Sequence, residues 1–183
     1  MLGQTVIFST KKKSLRNRVQ LMIIKPKIAN DIVTKYHYLH RGRVMAQIAY
    51  GIFLDDVMTG VIIYAYPTFT ERFKGYLPME WLEFARLYLK DNIPHLASCS
   101  VGKSLRRIKR DWEMKYPDKP SVVGVVSYSD TTRHKGTIYK ASNFIYDGKT
   151  KGHKELCYKK NEGRKSTYED LRHPKDRWIY WLN

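Results

Sequence analysis

The feature that most constrains this chain is a strand–helix–strand pattern between Glu80 and Tyr128. Trp81-Leu82-Glu83-Phe84-Ala85-Arg86-Leu87-Tyr88-Leu89 is apolar or aromatic at most positions and reads as a strand. A loop containing Pro94 leads into Ser98-Cys99-Ser100-Val101-Gly102-Lys103-Ser104, which opens a helix. Val101, Leu105, Ile108 and Trp112 recur at helical spacing and share one face. Lys103, Arg106, Arg107, Lys109 and Arg110 take the remaining surface, and Pro117 stops the helix. Ser121 to Tyr128 then forms a short β-branched run, apolar on both faces, as a buried inner strand should be. A helix that begins in hydroxyl residues, glycine and lysine between two such strands offers free N–H groups and a favourable dipole to a phosphate.

The flanking sequence fits an α/β domain around this unit. Val19 to Ile24 reads as a first strand, closed by Pro26. Ile28, Ala29, Ile32, Val33 and Tyr36 follow at helical spacing. Met45 to Leu54 and Val57 to Tyr66 make a hairpin across Asp55-Asp56. The expected order is strand, helix, hairpin, strand, helix, strand, short helix and final strands. A length of 183 residues suits one domain with a core over about 19–147. The segment 148–183 is rich in Lys and Arg, apart from its closing Trp178-Ile179-Tyr180-Trp181-Leu182.

Charge narrows the partner. Lys and Arg number 34 against 17 Asp and Glu, a formal net charge of +17 that attracts polyanions. Fourteen tyrosines and four tryptophans among these charges favour nucleic acid, since rings stack on bases. Cys99 and Cys157 form no paired motif, which makes a reduced compartment the default. No apolar run approaches a membrane span, and Thr5-Val6-Ile7-Phe8 before Lys11-Lys12-Lys13 has the wrong order for a secretion signal. A cytoplasmic protein without a membrane partner is expected, as a monomer or a homodimer.

Gly136-Thr137-Ile138-Tyr139-Lys140-Ala141-Ser142-Asn143-Phe144 resembles the closing motif of the GNAT acyltransferase fold. Val125-Val126-Ser127-Tyr128-Ser129-Asp130, continuing through His134, Gly136-Thr137-Ile138-Tyr139 and Ala141-Ser142-Asn143, is more particular. It resembles the Mom DNA-modification proteins of bacteriophages, a divergent GNAT branch. The likeness is strongest over Glu83 to Tyr146. It implies a single GNAT-like α/β domain with a mixed sheet, flanking helices and splayed central strands. It also implies acetyl-CoA as cofactor and double-stranded DNA as partner. The reaction implied adds a carbamoylmethyl-type group to the N6 amine of adenine in a flipped-out base and shields phage DNA from restriction. Bound iron is implied as well, with His37, Asp130 and Tyr139 as the matching positions.

Candidate residues follow. Tyr139 is placed by the resemblance opposite the thioester, and Asp130 lies just past a strand end where ligand crevices open. His37 or His40 would arrive from the first helix, and a His, an Asp and a Tyr can relay protons. Ser100 completes the catalytic candidates. Arg86 and Leu87, with Ser98, Ser100, Val101, Gly102, Lys103 and Ser104, are the cofactor candidates, although the usual Gln/Arg-x-x-Gly-x-Gly/Ala turn is missing. Arg86 has apolar neighbours and needs a partner, either a cofactor group or Glu80 or Glu83.

Candidates for DNA are Tyr38, His40, Arg41, Arg43, Arg133, His134, Lys135, Asn143, Lys149 and Lys151, with Phe69, Arg72 and Lys74 in the segment Pro67 to Pro78. That segment reads equally well as a DNA-facing loop and as one packed on the sheet. Tyr36, Tyr38, Tyr66 and Phe69 are aromatic enough to stack a base, with Tyr36 expected on the core face of its helix. Joining nitrogen to the methyl-derived carbon needs more than ordinary acyl transfer. Two other readings stand beside this one: a GNAT acetyltransferase of a protein or small amine, and a non-catalytic DNA-binding protein on the same scaffold.

Overall fold

The computed structural model describes residues 14–132, 135–151, 153–158, 167–172 and 174–183, with side chains outside 152–173. A short helix α1 (Leu15–Arg18) leads to β1 (Val19–Ile24), α2 (Pro26–Tyr36) and the hairpin β2 (Ala46–Leu54) and β3 (Val57–Ala65). Then come β4 (Trp81–Leu89), α3 (Leu96–Leu105), α4 (Ile108–Lys115), β5 (Gly124–Asp130) and α5 (Thr137–Ala141). The last elements are β6 (Ile145–Lys149), β7 (His153–Tyr158), β8 (Thr167–Arg172) and β9 (Lys175–Trp181). Seven strands form one sheet in the order β1-β2-β3-β4-β5-β9-β6, while β7 and β8 pair separately. Among the described residues only β4 and β5 run parallel; the other pairings are antiparallel.

Strand alternation builds a layer on each face. Ile62, Tyr64, Leu82, Phe84 and Val125 face α3, α4 and α5, together with Val101, Leu105, Ile108 and Trp112. Val61 and Ile63 face α2 through Ala29 and Val33. Beyond the end of α2, the same face is covered by Phe69 and Phe73, which pack with Trp81, Val126 and Ile179. The segment Pro67 to Pro78 therefore lays its two phenylalanines on the sheet.

Three expectations needed correction. The helix expected to run to Pro117 is two, broken at Arg106-Arg107, although its apolar face remains common to both. The strand expected from Ser121 starts at Gly124 and reaches Asp130. Lys103 does not wait for a phosphate: its Nζ donates to the Val19 carbonyl at 2.7 Å, and Arg107 Nη1 donates to the Leu21 carbonyl at 2.8 Å. These side chains cap carbonyls of the edge strand β1, which would otherwise be open to pairing with another chain.

A buried polar network pins α4 to the sheet. Asp111 is 4% exposed and accepts from the Tyr50 hydroxyl at 2.7 Å and from Arg107 Nε at 2.5 Å. Burial and this neighbouring carboxylate push the Tyr50 phenol well up, so it stays a donor. Asp111→Ala is expected to cost about 3 kcal/mol in urea denaturation, because it strands a buried phenol and unpairs Arg107. A loss within experimental error of zero would contradict this reading.

Candidate active site

The site is made where β4 and β5 part. Their parallel pairing covers Trp81↔Gly124, Leu82↔Val125 and Glu83↔Val126 and then stops. The next carbonyl along β4, that of Phe84, accepts from Ser127 Oγ at 2.8 Å. Ser127 Oγ also lies 3.0 Å from the Tyr139 hydroxyl. A carbonyl can only accept, so the serine proton goes to Phe84 and the phenol is left to donate to Ser127. Tyr139 is thereby held at the mouth of the gap.

Packing fixes the tyrosine from behind. Its ring stacks on Trp178 at 5.4 Å and 8°, and the Trp178 indole donates to Ser129 Oγ at 2.9 Å. Gly136, the residue before α5, has φ +70° and lies so close to the Trp178 ring that a Cβ would collide with it. Burial pushes the Tyr139 phenol up from its ordinary range. It therefore remains protonated at neutral pH.

A bulge turns the charged residues of β4 to one face beside the gap. Ile63 and Tyr64 on β3 pair with Arg86 and Phe84, so Ala85 is the extra residue of β4. Without it, Glu83 and Arg86 would point to opposite faces; with it, both point to the α2 side. Glu83 is 8% exposed, and Arg43 Nη2 lies 2.5 Å from its Oε2. Burial pushes the Glu83 carboxyl up, and Arg43 and Arg86 oppose that. Arg86 is pushed down by burial and by Arg43; its Nε donates to the Arg41 carbonyl at 3.3 Å and its Nη1 to the Ala85 carbonyl at 2.7 Å. The Arg86 partner is thus chiefly backbone, with Glu83 close enough to act on its charge.

Tyr38 approaches from the loop after α2. It is 46% exposed and acts electrostatically on both Tyr139 and Arg86. His37 stands beside it, ring centroids 4.3 Å apart, and its Nδ1 accepts from the Leu39 N–H at 3.2 Å.

A model described as the Mom protein family matches residues 18–181. The chain belongs to the Mom protein family. Among solved structures, it resembles RimL, a ribosomal L7/L12 alpha-N-protein acetyltransferase, at 12% identity over 92% of this chain and 96% of that one, with a TM-score of 0.51. A GNAT family acetyltransferase from Elizabethkingia anophelis with acetyl-CoA bound aligns at 10% identity, 91% and 99% coverage and TM-score 0.52. An N-acetyltransferase from Staphylococcus aureus Mu50 gives 12%, 90%, 99% and 0.51. No curated protein matches the chain. The expected mixed α/β GNAT-like fold is the observed one.

In this Mom-family chain, the cofactor candidates divide. Helix α3 starts at Leu96, so Val101, Gly102, Lys103 and Ser104 lie inside it, beyond the free N–H groups of its first turn. Val101 is core, and Ser104 is buried against the Tyr64 hydroxyl at 2.7 Å. Leu87 packs at the edge of the core on the α3 side. Ser98 and Gly102 line a cavity of about 230 Å³ between α3 and the end of α5, with Arg16, Arg106, Ser142 and Asn143. The Ser142 hydroxyl there and the Ser100 hydroxyl in α3 are buried without partners.

The other candidates scatter. Asp130 closes a turn onto Thr132, with contacts of 2.9 Å to its N–H and 2.6 Å to its hydroxyl. Alternation along β5 places Asp130 with Tyr128, on the face opposite Ser127 and Tyr139. His40 Nδ1 lies 3.2 Å from the Thr34 carbonyl. Phe69 is packed, Arg72 donates to the Gly75 carbonyl and Lys74 pairs with Asp147. Arg41, Lys135, Asn143, Lys149 and Lys151 are exposed. Arg133 and His134 lie outside the described residues. Tyr36, expected in the core, is 54% exposed and stacks on Tyr88, while Tyr66 packs on Trp112.

The described residues lend the implied iron no support. Tyr139 is held as a phenol against Ser127, and among the described residues no cluster of three His, Cys, Asp or Glu side chains could hold a metal ion.

Sequence reasoning passed over Ser127 and named Glu83 only as a partner for Arg86. The polar pair Ser127 and Ser129, two apart in an apolar strand, was the available signal. Ser127→Ala is expected to cost about 1–2 kcal/mol in thermal or urea unfolding, since it strands the buried Tyr139 hydroxyl. Wild-type stability would show that the bond is not maintained.

Proposed function

We propose that this protein is a transferase that modifies the N6 amine of adenine in double-stranded DNA with a group derived from acetyl-CoA, and so protects phage DNA from restriction. The observation that carries the reading is the parting of β4 and β5, with Tyr139 held beside it through Ser127, in a chain of the Mom protein family. The cavity beside α3, with Arg16 and Arg106 at its rim, suits the phosphate-bearing end of the cofactor. Its acyl end would then reach the gap.

The chemistry needs an acceptor for an amine proton and a donor for the departing sulfur. In the acyl-transfer form, N6 attacks the thioester carbonyl, the C–N bond forms and the C–S bond breaks. Tyr139, protonated by virtue of its burial, is suited to give its proton to the thiolate. Tyr38 is exposed and acts electrostatically on Tyr139, which suits it to stack an extruded adenine. Exposed Arg41, Lys135, Lys149 and Lys151 suit phosphate contacts that position a duplex without reading its sequence. A group on N6 would fill the major groove where nucleases recognise adenine.

Two experiments test this. Nucleosides digested from plasmid DNA after expression in bacteria should contain a new deoxyadenosine species by mass spectrometry, absent with Tyr139→Phe. Its mass separates an acetyl group from a carbamoylmethyl group, which carries one NH more. Unmodified DNA from cells rich in folded protein would reject the substrate and favour an acetyltransferase of other amines. Duplex affinity of the purified protein should also fall steeply with salt, as counterion release requires; a flat salt profile would remove DNA as the partner.

A further inference from the structure

The segment between α2 and β2 ends in a turn that presents an aliphatic side chain to solvent and holds it still. Arg43 to Ala46 make a four-residue turn in which the Ala46 N–H donates to the Arg43 carbonyl at 3.1 Å. Val44 and Met45 stand at its corner, 96% and 54% exposed, and Val44 is the most exposed large hydrophobic side chain among the described residues. Turn corners favour Gly, Pro, Asn, Asp or Ser, so an apolar pair there serves neither the turn nor the core.

Both sides of the corner are fastened. Asn30 of α2 holds the Arg43 backbone, its Oδ1 accepting the N–H at 2.7 Å and its Nδ2 donating to the carbonyl at 3.1 Å. Gly42 permits this approach, because a Cβ there would lie 2.9 Å from Asn30 Oδ1. The Met45 carbonyl accepts from the Tyr66 N–H at 3.3 Å, and the Arg41 carbonyl accepts from Arg86 Nε at 3.3 Å. The Arg43 side chain pairs with Glu83, the last residue of β4 that pairs with β5. The corner is thus tied to the point at which the two strands part. Residues 38–45 also carry His40, Arg41 and Arg43 and no acid, a charge that suits a polyanion. An apolar tip among cations matches a duplex, which has phosphates outside and stacked bases within.

We propose that Val44 is a wedge that enters the base stack of a DNA duplex and fills the space left by the extruded adenine. This rests on the DNA reading above. Turning a base out costs pairing and stacking, and it leaves a hole lined by the apolar faces of the neighbouring bases. An aliphatic side chain in that hole buries its methyl groups and blocks the return of the base. A β-branched residue on a fastened turn has little rotamer or backbone freedom to lose when it inserts. Arg41 then meets phosphates beside the opened step, and exposed Tyr38 receives the base.

The test uses the whole chain and short duplexes carrying 2-aminopurine at successive adenine positions, since this base brightens when it leaves the stack. Wild-type protein should raise the fluorescence. Val44→Ala, which removes no core contact, should lower the ratio of extruded to stacked base about tenfold, the worth of two buried methyl groups. Val44→Leu should keep most of the rise. Modification of adenine with acetyl-CoA gives a second reading. Val44→Ala should lose about tenfold on paired adenine and less than about twofold on adenine opposite an abasic site, where the stack is already open. Equal fluorescence with Val44→Ala and wild type overturns the proposal, as does an equal loss on paired and unpaired adenine. Unchanged fluorescence with an altered oligomeric state in sedimentation assigns Val44 to a contact between copies and also overturns it. Wild-type protein that opens the stack through Val44 yet transfers no group to adenine rejects the transferase reading alone. Wild-type protein that brightens no position overturns the wedge, whatever it transfers.

Discussion

Everything in this structure depends on the point at which two parallel strands stop pairing. After Glu83 and Val126, β4 keeps β3 as its neighbour and β5 keeps β9, and no ladder joins them. Backbone groups left unpaired inside a protein must be satisfied by something else. Ser127 does this at the first vacant carbonyl, and in doing so it fixes Tyr139. One local solution to a hydrogen-bonding problem thus positions the residue best placed to act as an acid. The bulge at Ala85 belongs to the same design, since it turns Glu83 and Arg86 to one side of the gap.

The electrostatics of the gap contrast with those of the surface. The chain carries a net charge of +17, yet a residue buried beside the gap is a glutamate with three cations around it. Positive charge outside suits attraction of a polyanion. A carboxylate inside suits removal of a proton. Basic residues that reading the sequence would pool together serve different ends. Lys103 and Arg107 protect a sheet edge, Arg43 pairs with Glu83, and Arg41 and Lys149 are open to solvent.

Strand and helix positions were legible because their periodicities are clean. β1 and β4 fall where the apolar runs placed them, and the shared face of α3 and α4 is the one their spacing gives. Boundaries were less legible: the break at Arg106-Arg107 has no proline or glycine to announce it. Helix α3 begins two residues before the first serine of the expected phosphate turn, and this shift alone moves Val101 and Ser104 from ligand positions into the core. Nor could the sequence show that β9 inserts between β5 and β6 and brings Trp178 behind Tyr139. Such pairings join residues far apart in the chain, where local pattern carries no information. Glu83 was hidden for a related reason: its partner Arg43 lies forty residues away.

The most direct measurement is transfer of an isotopically labelled acetyl group from acetyl-CoA to a synthetic duplex by the purified protein, followed by base analysis. The account predicts label on adenine, and only when the duplex contains adenine. Label that stays on CoA, or that appears on protein amines while the duplex remains clean, would contradict it.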